Sequence, residues 1–166
     1  RLDPALDALV DVEARAEDVC AGFIWSEGPV WKDGALFFSD VPANVLYRWR
    51  PGSAKAEVFL EPSGGILANP DFVEPGSNGL ALDPNGHLLL CQSGGRRVVR
   101  LEADDHTETV LADRFEGRRF NNPNDLVCHS SGAIYFSDPS YGFKGHEASP
   151  LREMPWNGIY RIAPDG

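Results

Sequence analysis

The sequence predicts an all-β fold, a β-propeller of which this chain covers about the first three blades. Short apolar strands alternate with glycine-containing turns, and one order of strand, turn, strand and loop recurs three times. The turn glycines Gly34, Gly86 and Gly132 keep the register at intervals of 52 and 46 residues. Repeats of about 40 to 50 residues with four short strands are typical of propeller blades, and rings close with about 4 to 8 of them.

Each repeat combines an apolar strand with a strand in which apolar and polar residues alternate, as in ALFFSD and VLYRW of the first repeat. The units and their lone following strands are residues 28–49 and 56–60, 78–102 and 108–112, and 124–143 and 157–162. Period-two alternation favours strands over helices. Because a blade buries one face against its neighbour, the three units are expected to stack.

Two segments lie outside the repeats. Residues 1–22 are acidic with helix-like leucine spacing, and Asp3-Pro4 is a helix start signal, which predicts an N-terminal arm packed on the outside of the main body. Residues 23–166 form the N-terminal half of the propeller domain. The insertion at 144–156 is polar and contains two prolines, so it is expected to be a surface loop that could cover a substrate at the mouth of the ring.

Composition narrows the function. The net charge of −10 argues against nucleic acid, and the arginine pairs at 96–97 and 118–119 are expected to be solvated at turns. No apolar run has the length of a membrane span. Three cysteines without CxxC spacing favour free, mostly buried thiols in a reducing, cytoplasmic compartment. The chain begins at Arg1, which leaves open whether a leader was removed.

Oxygen-bearing side chains open the first strand of each repeat: Glu27, Asn78 and Asn124. The first strand of a propeller blade lines the central channel, so these side chains are expected to meet near one axis. A carboxylate with two amide oxygens suits a hard cation, either calcium or magnesium. The lack of His and Cys at these positions argues against a structural zinc site.

A simpler interpretation of each of these residues stays open. Asn78 and Asn124 are followed by Gly or Asp, as in turns whose side chain caps its own backbone, and Glu27 could be a rim carboxylate bound to backbone amides. Glu27, Asn78 and Asn124 occupy equivalent positions in successive repeats. This favours a shared cation site, because turn capping alone does not require equivalent positions in each repeat. Asp125 could be a second acceptor that orients Asn124, or part of an ordinary Asx turn.

Further polar residues flank this set. The cluster at 121–125 contains Asn122, which we expect to contact a substrate, and Tyr141 could form a wall of the substrate pocket. The strand ends Ser39-Asp40 and Ser137-Asp138 are expected to form hydrogen bonds between blades. Asp165 is interpreted as part of a hairpin turn. The sequence has no GxSxG or HExxH motif, so a serine nucleophile or a histidine-based zinc site gains no support.

Four phrases of the sequence together resemble one family. SEGPVW, SNGLALDPNGHLLLCQSGGRRVVRLE, FNNPNDLV and AIYFSDPSYGF are similar to the gluconolactonase, senescence marker protein (regucalcin) and lactonase-related family of six-bladed propellers. The resemblance extends from about Phe23 to the last residue. Within the family the sequence looks closest to the bacterial gluconolactonases.

The resemblance implies hydrolysis of a sugar lactone such as glucono-1,5-lactone, assisted by one divalent cation. Ca²⁺ is the expected ion, with Zn²⁺ and Mg²⁺ as alternatives. Glu27 and Asn124 match the phrases that supply two of the family's metal ligands, and Asn78 matches a channel residue that contacts the substrate. Two further ligands, an Asn and an Asp that is also the candidate general base, are expected after Gly166. The remaining blades are therefore expected in a missing C-terminal half, and activity of this chain alone is in question.

Two other functions stay open. One is a phosphotriesterase or aryl esterase on the same propeller, like diisopropyl fluorophosphatase, which shares the Glu and Asn metal ring. The other is a propeller without catalytic activity that binds ligands or proteins.

Overall fold

Three antiparallel sheets dominate the computed structural model, which describes residues 3–164. The first sheet contains β1 (Ser26–Lys32), β2 (Ala35–Asp40), β3 (Val45–Trp49) and β4 (Glu57–Leu60). The second contains β5 (Ser77–Leu82), β6 (Leu88–Gln92), β7 (Arg97–Leu101) and β8 (Glu108–Ala112). The third contains β11 (Leu126–Cys128), β12 (Ile134–Asp138) and β13 (Gly158–Ile162), and a small hairpin pairs β9 (Arg114–Phe115) with β10 (Arg118–Arg119). Strands follow chain order within each sheet of this β-propeller fold.

The middle sheet is packed between the other two. Leu88 and Leu90 of β6 face the first sheet, whereas Leu89 and Cys91 face the third. All four are fully buried, which explains why β6 is a continuous apolar run and does not alternate. Cys91 is the small buried hydrophobe that its strand pattern predicted.

The innermost strands of neighbouring sheets approach each other closely at two glycines. A Cβ on Gly28 would lie 2.4 Å from the Asn78 carbonyl oxygen, and one on Gly79 would lie 2.6 Å from Asp125 Oδ1. The Gly79 N–H donates to the Asn124 carbonyl at 2.6 Å. Glycine at these positions lets β1, β5 and the start of the third sheet converge, which brings together the residues that open them.

The arginine at position 96 corrects the expectation of a solvated pair. Arg96 is 5% exposed, donates from Nε to the Phe120 carbonyl at 2.6 Å and lies over the Phe143 ring. Its Nη1 lies 3.2 Å from Glu153 Oε1 in the insertion, and Glu153 Oε2 accepts the Arg119 N–H at 2.8 Å. Glu153 thereby connects the insertion to the second sheet and to the small β9–β10 hairpin.

The N-terminal arm differs from its expected packing. A short 3₁₀ helix, Pro4–Ala8, begins after the Asp3 cap, but Leu6 and Leu9 are exposed and do not pack on the sheets. Phe23 does cover the first sheet, with its ring against Phe38 and Tyr47. Among the described residues no helix has the length and apolar character needed to span a membrane. Asp165 lies outside the described residues.

Candidate functional site

One cavity of about 310 Å³ collects the three predicted residues. Glu27, Asn78 and Asn124 line it together with their neighbours Gly28, Pro29, Gly79, Leu80 and Asp125. Glu27 and Asn78 lie in β1 and β5, the innermost strands of two sheets, and Asn124 lies two residues before β11, the innermost strand of the third. The structure therefore brings the predicted set together.

Glu27 contributes the carboxylate of this cavity. Its Oε1 accepts the Trp25 indole N–H at 2.7 Å, which fixes the side chain from one side. No hydrogen bond within residues 3–164 occupies its second oxygen. The interpretation of Glu27 as a rim carboxylate held by backbone amides is not supported, because its partner is an indole. One oxygen is left for a ligand.

Asn78 and Asn124 are held by their backbones and not by their side chains. Ser39 Oγ donates to the Asn78 carbonyl at 2.9 Å, and the Asn124 N–H donates to the Ser137 carbonyl at 2.9 Å. Across residues 3–164 neither side-chain amide forms a hydrogen bond. The alternative that these side chains cap their own turns is therefore wrong, and both amides are available to a ligand.

Three other predicted site residues are placed differently. Asp125 lines the cavity, but its Oδ1 accepts the Leu126 N–H at 2.9 Å and no hydrogen bond in the described chain joins it to Asn124. The expectation that Asn122 contacts a substrate is wrong. Asn122 is 1% exposed, and its amide donates to the Ser93 carbonyl and accepts the Phe143 N–H, so it cannot reach a substrate. Tyr141 is exposed on the loop after β12 and does not line this cavity.

Glu74 is a charged neighbour that the repeat pattern missed. It lies in the linker before β5, where its N–H donates to the Gly142 carbonyl at 3.3 Å. Partial burial and the nearby charge of Glu27 raise its pKa, which His146 opposes. Nothing in the sequence indicated this, because the linker precedes the repeat and has no equivalent in the other units.

Asp138 is a fully buried acid at the end of β12. Its Oδ2 accepts the Asn121 N–H at 2.8 Å, while its Oδ1 has no partner in the described residues. Burial raises the pKa of this carboxyl from 3.8 to about 7, and the hydrogen bond from Asn121 and the charge of Arg96 oppose that shift only in part. Asp138 does not line the cavity.

The donor set determines which ions fit. Within residues 3–164 no three His, Cys, Asp or Glu side chains form a cluster that could hold a metal. One carboxylate and two free amide groups fit a hard cation with oxygen ligands such as calcium, which needs further oxygens from other groups or water. They do not fit a zinc site of His and Cys ligands.

Comparison with known proteins identifies the family of this chain. Residues 25–166 match the family described as the SMP-30/Gluconolactonase/LRE-like region. A gluconolactonase of Zymomonas mobilis is 42% identical over 170 residues, which covers all of this chain and 48% of the relative. The chain thus spans about half the length of this relative.

Solved structures give the same result. The X-ray structure of a candidate gluconolactonase matches with a TM-score of 0.80 at 33% identity, covering 96% of this chain and 53% of that protein. A Xanthomonas campestris gluconolactonase described as important in glucose secondary metabolic pathways matches with a TM-score of 0.69 at 31% identity, covering 87% of this chain and 46% of that protein. A luciferin-regenerating enzyme, with a TM-score of 0.60 at 11% identity and coverage of 85% and 45%, shares the fold alone. The chain therefore belongs to the SMP-30/gluconolactonase/LRE-like family.

Proposed function

We propose that this chain forms the metal-binding half of a lactone hydrolase that opens sugar lactones such as glucono-1,5-lactone. The observation that carries the proposal is the shared cavity of Glu27, Asn78 and Asn124, each delivered by a different sheet. The gluconolactonase names of the relatives support the substrate class.

The cavity residues would have separate roles in binding the cation and the substrate. Glu27 and Asn124 would hold one divalent cation, with Ca²⁺ as the first choice and Zn²⁺ or Mg²⁺ as alternatives. When bound, such an ion supplies polarisation of the lactone carbonyl and a lowered pKa for a bound water. Asn78 is 6% exposed, and its side-chain amide has no hydrogen bond to any residue of the described chain, so it would donate one to the sugar. The general base would come from an Asp in a later blade, so the intact protein is expected to need that blade for activity.

A hydrolysis assay with matched variants tests the proposal. The intact protein should hydrolyse glucono-1,5-lactone, lose activity in chelator and regain it with Ca²⁺. Glu27→Gln should lower kcat by at least 100-fold because it removes the charge that faces the cation. Asp33→Asn is the control, since it also removes one carboxylate but lies exposed in the β1–β2 turn. Full activity of Glu27→Gln, or activity that chelator does not change, would contradict the proposal.

The same assay separates the other two functions. Faster hydrolysis of a phosphotriester such as paraoxon than of any lactone would indicate a phosphotriesterase on this propeller. No hydrolysis of either substrate class by the intact protein with Ca²⁺ would leave a propeller without catalytic activity.

We also infer that further blades cover the two outer sheets, as expected of a six-bladed ring with three blades here. The outer face of the third sheet exposes Val127, Tyr135 and Ile159, and the first sheet exposes Trp31. Within residues 3–164 the third sheet has three strands, without a counterpart of the fourth strand that β4 and β8 supply to the other two sheets. Ile159→Asp should therefore destabilise the intact protein by about 2 kcal/mol or more. An unchanged free energy of unfolding would refute this packing.

A further inference from the structure

Two buried acids occupy the same place in the first and third sheets. Asp40 ends β2 and Asp138 ends β12, each at the cavity end of the second strand of its sheet. Both side chains are almost completely buried, at 2% and 0% exposure. Their equivalence suggests that the two acids perform the same task.

Asp40 binds the segment that leads into Glu27. Its Oδ2 accepts the Ile24 N–H at 2.9 Å, and its Oδ1 accepts the Trp25 N–H at 3.1 Å. The next residue, Val41, donates its N–H to the Trp25 carbonyl at 3.2 Å. The backbone of Trp25 is thus fixed on both sides, two residues before Glu27, and its indole holds the Glu27 carboxylate.

Asp138 binds the segment that leads into Asn124 at the same offset. Its Oδ2 accepts the N–H of Asn121, which lies three residues before Asn124 as Ile24 lies three before Glu27. Pro139 follows and has no N–H, so its carbonyl instead accepts the Asn122 N–H at 3.0 Å. In both sheets, therefore, the acid binds the backbone that precedes the site residue and the residue after the acid forms a second backbone bond. The direction of that second bond is reversed in the third sheet.

The second sheet keeps the backbone part of this arrangement, because the Ser93 N–H donates to the Gly76 carbonyl at 3.2 Å as the Val41 N–H does to Trp25, but it lacks the carboxylate. Gln92 pairs with Ser77 in β5 just as Asp40 pairs with Ser26 in β1, so Gln92 occupies the equivalent position. Its amide donates to the Ser63 carbonyl and Glu108 and does not bind the segment before Asn78. Position −3 from Asn78 is Pro75, which has no N–H to offer a carboxylate. Among the three large sheets of the described chain, the two that carry the proposed metal ligands have the acid and the middle one does not.

We propose that Asp40 and Asp138 are positioning residues that fix Glu27 and Asn124 for the cation by anchoring the backbone that precedes them. The inference rests on the proposed function for the identity of the ligands, but the anchoring itself is independent of any metal. Groups that orient metal ligands typically change affinity by about 10- to 100-fold when replaced. Asn is the informative replacement, because it keeps the size of Asp but removes the negative charge that attracts the backbone N–H donors. At position 40, where both oxygens accept N–H groups, Asn also presents an NH₂ group to one of these donors.

Two measurements on the intact protein test the inference. Hydrogen exchange read by mass spectrometry should show at least tenfold faster exchange at 24–25 in Asp40→Asn and at 121–122 in Asp138→Asn, each without an effect on the other segment. Calorimetric Ca²⁺ affinity should fall about tenfold in both variants. Gln92→Ala, which removes a buried side chain at the equivalent position of the second sheet, should leave Ca²⁺ affinity within twofold.

The outcomes are distinguishable. Unchanged exchange at both segments, or an equal loss of Ca²⁺ affinity in Gln92→Ala, would overturn the positioning role. If the wild-type protein binds no Ca²⁺ but each variant accelerates exchange at its own segment, the anchoring stands and the proposed metal function fails. Should Asp138→Asn fail to fold, the exchange and affinity of Asp40→Asn decide the question alone.

Discussion

The buried carboxyl of Asp138 should make the stability of this protein depend on pH. Its pKa is about 7 in the folded chain, against an ordinary value of 3.8 that the unfolded chain is expected to show. The folded state therefore binds more protons than the unfolded state between these values, so stability falls as pH rises toward 7. The full shift corresponds to about 4 kcal/mol, at about 1.4 kcal/mol for each pKa unit.

Asp138→Asn isolates this contribution, because Asn has a similar shape and does not ionise. Relative to that variant, the wild-type protein should lose about 3 kcal/mol in free energy of unfolding between pH 5 and pH 8.5. Urea titrations of both proteins across this pH range measure the difference between their free energies of unfolding. The contributions of the other titrating groups cancel in this difference. A difference that stays constant with pH, or that changes in favour of the wild type as pH rises, would refute the reasoning.

Three other expectations follow from the packing. Gly28→Ala should lower the free energy of unfolding by about 2–4 kcal/mol in urea titrations, because the new Cβ would meet the Asn78 carbonyl. Gly34→Ala is the control: Gly34 also has a positive φ, but a Cβ there would have nothing within 4 Å, so the cost should be about 1 kcal/mol. Glu153→Gln should speed hydrogen exchange across residues 144–156 and lower the free energy of unfolding by about 1–2 kcal/mol, because it weakens the bonds to Arg96 and to the Arg119 N–H. The same substitution at the exposed Glu116 should change neither quantity. A thiol reagent should label Cys20 and Cys128 but not Cys91 in the folded protein, as read by mass spectrometry, because Cys91 is fully buried and burial raises the pKa of its thiol. Rapid labelling of Cys91 in the folded protein would contradict the packing.

The repeat predicted much of the fold because its signals are local. Glycine turns and strand alternation depend on neighbouring residues, and the equivalent positions of Glu27, Asn78 and Asn124 were sufficient to predict that they converge. The apolar run of β6 was also predictable, since a strand covered on both faces needs no polar side. These features required no knowledge of distant contacts.

Other features depend on contacts that the sequence does not display. Asn122 has the composition of a site residue, but Ser93 and Phe143 use both ends of its amide. Arg96 is buried because Phe143 and Glu153, far along the chain, provide a ring and a carboxylate. Asp40 and Asp138 were expected to join blades, yet each binds the segment that enters its own sheet. Such roles follow from which backbone N–H groups are left without strand partners, and that is visible only in three dimensions.

Calcium binding to the intact protein tests the central idea, that Glu27 and Asn124 converge on one cation. Isothermal calorimetry should detect one Ca²⁺ site in the wild type, and both Glu27→Ala and Asn124→Ala should weaken it at least tenfold, whereas Asp33→Asn should not. Affinity unchanged in both cavity variants would contradict a metal site at this position.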